Sequence, residues 1–318
     1  MYMGFAAQYL TKNRLFGDFI SDFPRKDLKY IVVIPSYNEN QIKDTLHALW
    51  KAQRPKHAVE IIVVVNSSEE SPEYIREINR KTLQEIENWR DAKGNDFFEV
   101  YTLHLPDLSA KDFGAGVARK VGMDEAISRF EKLNISDGYI ISLDADTTVR
   151  KNYFTAVEQA IEEKTSLNGG IIYFEHPLEG TEFNREIFDA VAKYELFLRY
   201  YNQALRWTGF PYAFHTIGSA FFVRALAYVK QGGMIRRKAG EDFYFLNKVF
   251  QLGNIREVNS TAVYPSPRFS GRVLFGTGPE VEKITNEPDK PHMTYNPEAF
   301  YTLRNFFFRI DHLFQCSE

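Results

Sequence analysis

What this sequence lacks narrows it first. It has one cysteine, Cys316, in 318 residues. A single thiol excludes an internal disulfide framework and a cysteine-rich zinc site. No apolar run reaches the roughly 18 residues that span a bilayer. The longest runs, such as "YIVVIP" and "IIVVV", are the length of strands. The opening "MYMGFAAQYLTKNRLF" has no basic segment leading into a long apolar core, so no signal peptide is expected. Charge of one sign is also scarce: the formal net charge is -3, which speaks against a nucleic-acid binder. These absences together predict a cytoplasmic protein with no transmembrane segment. Peripheral membrane contact stays open. Also missing is a Gly-x-Gly-x-x-Gly after the first apolar strand, where the chain reads "PSYNEN". Hydride transfer with a nicotinamide cofactor is therefore not expected.

What is abundant is aromatic. Aromatics make up 15% of the chain, with 27 Phe and 18 Tyr. Such side chains fill large cores and equally line sugar- and lipid-binding surfaces.

Apolar strands alternate with helical stripes. Tyr30–Ile34 reads as a strand broken by Pro35, and "EIIVVVNSS", "FFEVYTL", "YIISL", "GIIYF" and "IREVNSTAVYP" read as further strands. Ile42, Leu46, Leu49 and Trp50 recur at helical spacing, as do Ile187, Val191, Tyr194, Leu198, Tyr201 and Leu205. "GAGVARKVGMDEAISRF" and "GEDFYFLNKVFQLG" read as two more helices. Alternation of this kind predicts an α/β protein with a mostly parallel sheet flanked by helices. Residues 1–28 read as an arm and 29–265 as the main domain. Residues 266–297 read as a surface segment, and "EAFYTLRNFFFRIDHLF" as an amphipathic helix packed on the same domain.

Ligands of open parallel sheets sit beyond the carboxyl ends of the strands. Three strands end in polar clusters: Pro35 to Glu39, Asn66 to Ser68, and Asp144-Ala145-Asp146. Parallel neighbours would bring these clusters to one edge. Two carboxylates one residue apart suit Mg2+ or Mn2+, hard cations that take oxygen ligands and leave room for phosphate. An Asp-x-Asp arises by chance roughly once in a chain of this size, and these acids equally suit the cap of the next helix. Arg119 and Lys120 follow the glycines of "GAGVARK" and can face a phosphate or simply solvent. Glu241 and Asp242 follow Gly240 in a helical first turn, where acids complement the dipole whatever else they do.

In order and spacing, six segments resemble the family 2 glycosyltransferases of the GT-A fold. They are "VVIPSYNEN", "IIVVVNSS", "GAGVARKVGMDEA", "ISLDADTTV", "GSAFFVRALAYVKQGGM" and "AGEDFYFLNKV". The match runs from about Tyr30 to Tyr264. The resemblance implies transfer of a sugar from a nucleotide-diphosphate donor, UDP- or GDP-linked, to an acceptor hydroxyl. The acceptor is a glycan, a lipid-linked molecule or a small molecule. It implies that Pro35, Ser36, Asn38 and Glu39 wrap the nucleotide, with Gly116, Arg119 and Ala145 on the donor side. Asn66 stands where these enzymes often carry an Asp against the base, which leaves the base open. Asp144 would contact ribose or metal, and Asp146 the metal at the diphosphate, Mn2+ or Mg2+. Asp242 matches the general base of inverting members, with Glu241 beside it. Arg268 and Arg272 would cover the diphosphate, and His292, with His215 as runner-up, would be a further metal ligand. Two alternatives stay open. One is a sugar-phosphate nucleotidylyltransferase, whose first strand should lead into a Gly-rich, Arg-containing loop. The other is a GT-A domain that binds a glycan or partner without turnover.

Overall fold

The apolar run from Leu28 continues as strand straight through Pro35. In a computed structural model of the chain, which describes residues 4–93, 98–237, 240–269, 276–287 and 290–313, β1 spans Leu28–Ser36. Proline is tolerated here because β1 has already parted from one neighbour. Its pairing with β4 ends at Val33, so at Pro35 only the partner on the other side remains, through Val64.

By contact the chain divides into two units, Met1–Glu175 with Thr216–Pro265, and His176–His215 with Ser266–Glu318. The first unit carries the sheet. Its elements before the acidic turn are α1 (Ala7–Asn13), β1, α2 (Ile42–Lys51), β2 (Ala58–Ser68), α3 (Glu73–Lys93), β3 (Phe98–Leu108), α4 (Ala115–Lys132) and β4 (Tyr139–Ser142). After it come β5 (Thr147–Val149), α5 (Tyr153–Glu163) and β6 (Gly169–Phe174), then β7 (Phe221–Arg224), α7 (Ala225–Lys230), α8 (Glu241–Phe250) and β8 (Ile255–Pro265). The strand order is β3-β2-β1-β4-β7-β6-β8-β5.

The half built from β3, β2, β1 and β4 is parallel, as continuous apolar strands predict. The other half is mixed: β6 and β8 run parallel, while β4–β7, β6–β7 and β5–β8 are antiparallel. Strands β1 and β2 are buried almost end to end. Helix α4 packs on them through Gly122, where an added Cβ would sit 2.5 Å from Val33 and 2.9 Å from Val64.

The second unit holds α6 (Arg185–Trp207), α9 (Thr277–Asn286) and α10 (Pro297–Leu313). Asn184 caps α6 by accepting from the Ile187 backbone N–H at 3.1 Å. Ile187, Ala190 and Val191 form a small core with Val281, and Phe183 and Ile284 pack against it. The stripe on α6 is core only over its first half: Tyr194 is buried, but Tyr201 is exposed. Helix α9 falls within the stretch expected to be a surface segment. Its Pro279 sits in the first turn, where a missing N–H breaks no intrahelical bond. Among the described residues, no helix is long and apolar enough to cross a membrane.

Candidate active site

The acids after β4 sit in a tight turn. The Leu143 N–H donates to Val33 O at 3.1 Å, and the Thr147 N–H closes the turn onto Asp144 O at 3.1 Å. The chain then pairs with β8 as β5. The helix-capping alternative for Asp144 and Asp146 does not hold, because α5 begins only at Tyr153, with Asn152 at its N-cap position. From α2, the Thr45 hydroxyl donates to Ala145 O at 2.9 Å, which fixes the residue between the two acids. Asp144 and Asp146 are both half-buried.

Arg119 ties this turn to α8. One guanidinium nitrogen is ion-paired with Asp144 and another with Glu241. The Arg119 and Glu241 side chains are only 6% and 5% exposed. The guanidinium lies over Gly218, where an added Cβ would be 2.4 Å from Nη2. Burial works against the Arg119 charge, but Asp144, Glu241 and Asp242 outweigh it and hold its pKa above the ordinary arginine value. Asp242 stands next along α8 and accepts from the Phe243 N–H at 2.8 Å. Part of its surface stays open, yet protein fills most of the space around it. That burial pushes the Asp242 carboxyl up to about 6, against the pull of Arg119 and with help from Glu241 and Asp144.

Close backbone approach makes this junction possible. A Cβ on Gly116 would lie 2.2 Å from Arg237 O and 3.2 Å from the Glu241 Cβ. Gly114, at the N-cap position of α4, has φ 135°, which only glycine adopts readily. Lys120, left open in the sequence between a phosphate contact and a solvated charge, is neither. It is buried and ion-paired with Asp124 at 2.9 Å.

The ends of β1 and β2 are tied by an amide relay that sequence reasoning did not find. The Asn38 N–H donates to Asn79 Oδ1 at 3.0 Å, and Asn79 Nδ2 donates to Asn66 O at 3.0 Å. Asn66 Nδ2 donates to Gly114 O at 3.1 Å. Asn38 has φ 51°, in the left-handed region that Asn tolerates better than most residues. Glu39 is buried, accepts from the Gln41 N–H at 2.8 Å, and its carbonyl accepts from the Thr82 hydroxyl at 2.7 Å. Asn79 and Thr82 lie on the inner face of α3, and only that helical spacing hints at them. Tyr37, after β1, and Phe113, before α4, meet edge to face with centroids 4.7 Å apart. Both are half-buried. Ser36 Oγ and Arg119 Nε are buried without a hydrogen-bond partner, so the rim holds unspent polar capacity.

Among the described residues, no group of three or more His, Cys, Asp or Glu side chains could hold a metal ion. The two acids of the turn still suit Mg2+ or Mn2+, which bind through one or two carboxylates and complete their shell with water and phosphate. Asp144 Oδ1 accepts from Arg119, and the side chain is 34% exposed.

The structure thus brings Pro35, Ser36, Asn38, Glu39, Asn66, Gly116, Arg119, Asp144, Ala145, Asp146, Glu241 and Asp242 onto the first unit. The remaining expected site residues belong to the second. Arg268 is half-buried. His292 is exposed, with its ring 5.5 Å from that of Phe197. Burial, with Arg199 and Arg206 nearby, lowers the pKa of His215 to about 4. Arg272 lies outside the described residues.

No family model matches the sequence, and no curated protein matches it. Solved structures do. The crystal structure of S. aureus TarS 1-349 in complex with UDP-GlcNAc is similar with a TM-score of 0.52 and 17% identity, over 89% of this chain and 72% of that one. The complex of the same fragment with UDP gives 0.50 and 18%, over 75% of this chain and 60% of that one. The chain has the GT-A fold. At this identity the likeness is one of fold. Within a GT-A sheet the polar strand ends and the Asp144–Asp146 turn fall on the edge where open sheets take ligands.

Proposed function

We propose that this protein is a glycosyltransferase that moves a sugar from a nucleotide-diphosphate donor to an acceptor hydroxyl, with inversion and with a divalent cation. The observation that carries the reading is the Arg119 bridge. It sets the acids of the β4 turn and those of α8 on either side of one buried cation. The fold shared with TarS, a protein solved with UDP and with UDP-GlcNAc, supports a nucleotide-sugar donor.

In this reading, Tyr37 and Phe113 offer aromatic surface to the base, and the amide relay through Asn38, Asn79 and Asn66 shapes the ledge beneath it. Asp144 and Asp146 would hold Mg2+ or Mn2+. When bound, the cation supplies Lewis-acid neutralisation of charge on the departing diphosphate. Glu241 keeps Arg119 in place, and Arg119 adds fixed positive charge. Asp242 is the base. As the acceptor oxygen forms its bond to the anomeric carbon, the bond from that carbon to the diphosphate oxygen breaks, and the acceptor proton passes to the Asp242 carboxylate. A carboxyl raised to about 6 is still mostly ionised at neutral pH and is a stronger base than an ordinary aspartate.

Product analysis tests the proposal. Incubation with UDP- and GDP-sugars and Mn2+ should release the nucleoside diphosphate, and Asp146→Ala should abolish the release. Release of pyrophosphate from a nucleoside triphosphate and a sugar phosphate would favour the nucleotidylyltransferase instead. Binding without turnover would favour a carbohydrate-binding role.

A further inference from the structure

Residues 6–20 are built into the support of the candidate site. They lie along the outer face of α4. The Ala6 N–H donates to Glu131 at 2.8 Å, and the Phe19 and Ile20 N–H groups donate to Glu125 at 3.1 and 3.2 Å. Arg14 pairs with Glu125, and Asp18 accepts from the Ser128 hydroxyl at 2.7 Å. Helix α4 is therefore buried on both sides, and its polar outer face is satisfied by the arm rather than by water.

Tyr9 carries this contact to Asp124 and Lys120. It is buried, and its hydroxyl donates to Asp124 Oδ1 at 2.6 Å. The same hydroxyl accepts from Lys120 Nζ at 3.1 Å. Tyr228 of α7 donates to the same Asp124 oxygen at 2.8 Å, and the two tyrosine rings meet edge to face at 5.7 Å. The Tyr228 ring in turn packs 5.5 Å from Phe245 of α8. Gly233 has φ 75°, and a Cβ there would lie 1.9 Å from the Tyr9 hydroxyl. The turn at Gly232 and Gly233 leads toward Arg237, whose carbonyl lies against Gly116.

One hydroxyl thus lies beside three elements that lead to Arg119 and the acids of α8. Lys120 is the neighbour of Arg119 on α4. Tyr228 and Phe245 lead to the helix that carries Glu241 and Asp242. The Gly233 turn precedes that helix. We infer that Tyr9 is a positioning residue, which holds Arg119 and the acids of α8 in register by pinning the Lys120–Asp124 pair. The kinetic consequence rests on the transferase reading above; the mechanical link does not.

Amide hydrogen exchange on the full chain, paired with kinetics, tests the inference. Tyr9→Phe keeps the ring and removes two buried hydrogen bonds, the one donated to Asp124 and the one accepted from Lys120. Protection over residues 115–119 and 241–245 should fall by about tenfold or more, the scale of one to two such bonds. The control is Tyr30→Phe, which removes a buried hydroxyl contact to Glu158. It should leave both segments protected. For donor turnover, Tyr9→Phe should lower kcat several-fold with little change in KM, a split that general loosening would not give. Should Tyr9→Phe fail to fold, Asp124→Asn weakens the same acceptor and takes the same readout. Unchanged protection in both segments, or equal loss in Tyr30→Phe, overturns the inference. Lost protection in Tyr9→Phe, beside a wild type that turns over no nucleotide sugar, upholds the link and counts against the transferase reading alone.

Discussion

Arg119 and Asp144 form an ion pair that joins the N-terminal part of α4 to the turn after β4. The same guanidinium reaches back to Glu241, so two chain segments far apart in sequence meet at one charge. Replacing Arg119 with alanine leaves Glu241 buried and unpaired. Loss of one partner from a buried pair typically takes about 3–5 kcal/mol from stability. Chemical denaturation should show that loss for Arg119→Ala, and a much smaller one for Arg119→Ala combined with Glu241→Gln.

Asp242→Asn should lower turnover by about 10²–10⁴-fold, the usual contribution of a general base. Donor binding should change little, because the proton is accepted from the acceptor and not from the donor. Steady-state kinetics beside equilibrium titration of the nucleotide separates the two effects.

The raised pKa of Asp242 gives two pH signatures. In the proposed reaction the carboxylate is the base, so kcat/KM should fall as pH drops through about 6. Arg119 lowers the Asp242 pKa, so an Arg119→Met variant that still turns over should have that limb at higher pH. For stability the sign is opposite to that of a salt-bridged aspartate. Burial pushes the folded carboxyl up to about 6 from an ordinary 3.8, so the folded state holds the proton more tightly. The ionised form therefore weighs against folding in full above about 6, and that penalty disappears as pH falls toward 3.8. Asp242→Asn should melt higher than wild type at pH 8 and lose that advantage by pH 4. A stabilising change that removes activity is the expected mark of a functional group.

Gly116→Ala should fail for a steric reason. The new methyl would meet a backbone oxygen at 2.2 Å, which cannot rotate away as a side chain can. Overpacking of this kind takes about 1–3 kcal/mol. It should also pull α4 from the start of α8, so activity should fall further than the melting temperature alone accounts for.

The parallel half of the sheet was legible in the sequence because strands buried on both faces read as unbroken apolar runs. The antiparallel return through β7 was not, since direction is set by tertiary pairing and "FFVR" reads the same either way. The acidic turn was legible by its place after β4. Its neighbours were not. Asn79 and Thr82 serve the strand ends from the buried side of α3; Thr82 falls on the helix's apolar stripe with Ile75 and Ile86, but nothing in that spacing tells what either side chain bonds. The arm was misleading in the same way. Charges on α4 suggest a solvated face, but Tyr9, Arg14 and the backbone at residues 19 and 20 satisfy them. A polar face covered by another polar segment leaves no hydrophobic signature.

In the proposed reaction the edge bearing Asp144 and Asp146 holds a nucleoside diphosphate. The most direct test is a thermal-shift titration of UDP and GDP with Mn2+, run on wild type and on Asp144→Ala with Asp146→Ala. A ligand that binds only the folded state at 100 times its Kd adds about 2.7 kcal/mol of stability. The account predicts a saturable rise in melting temperature with one of the two nucleotides in wild type, lost in the double variant. No rise with either nucleotide, or an equal rise in the double variant, would contradict it.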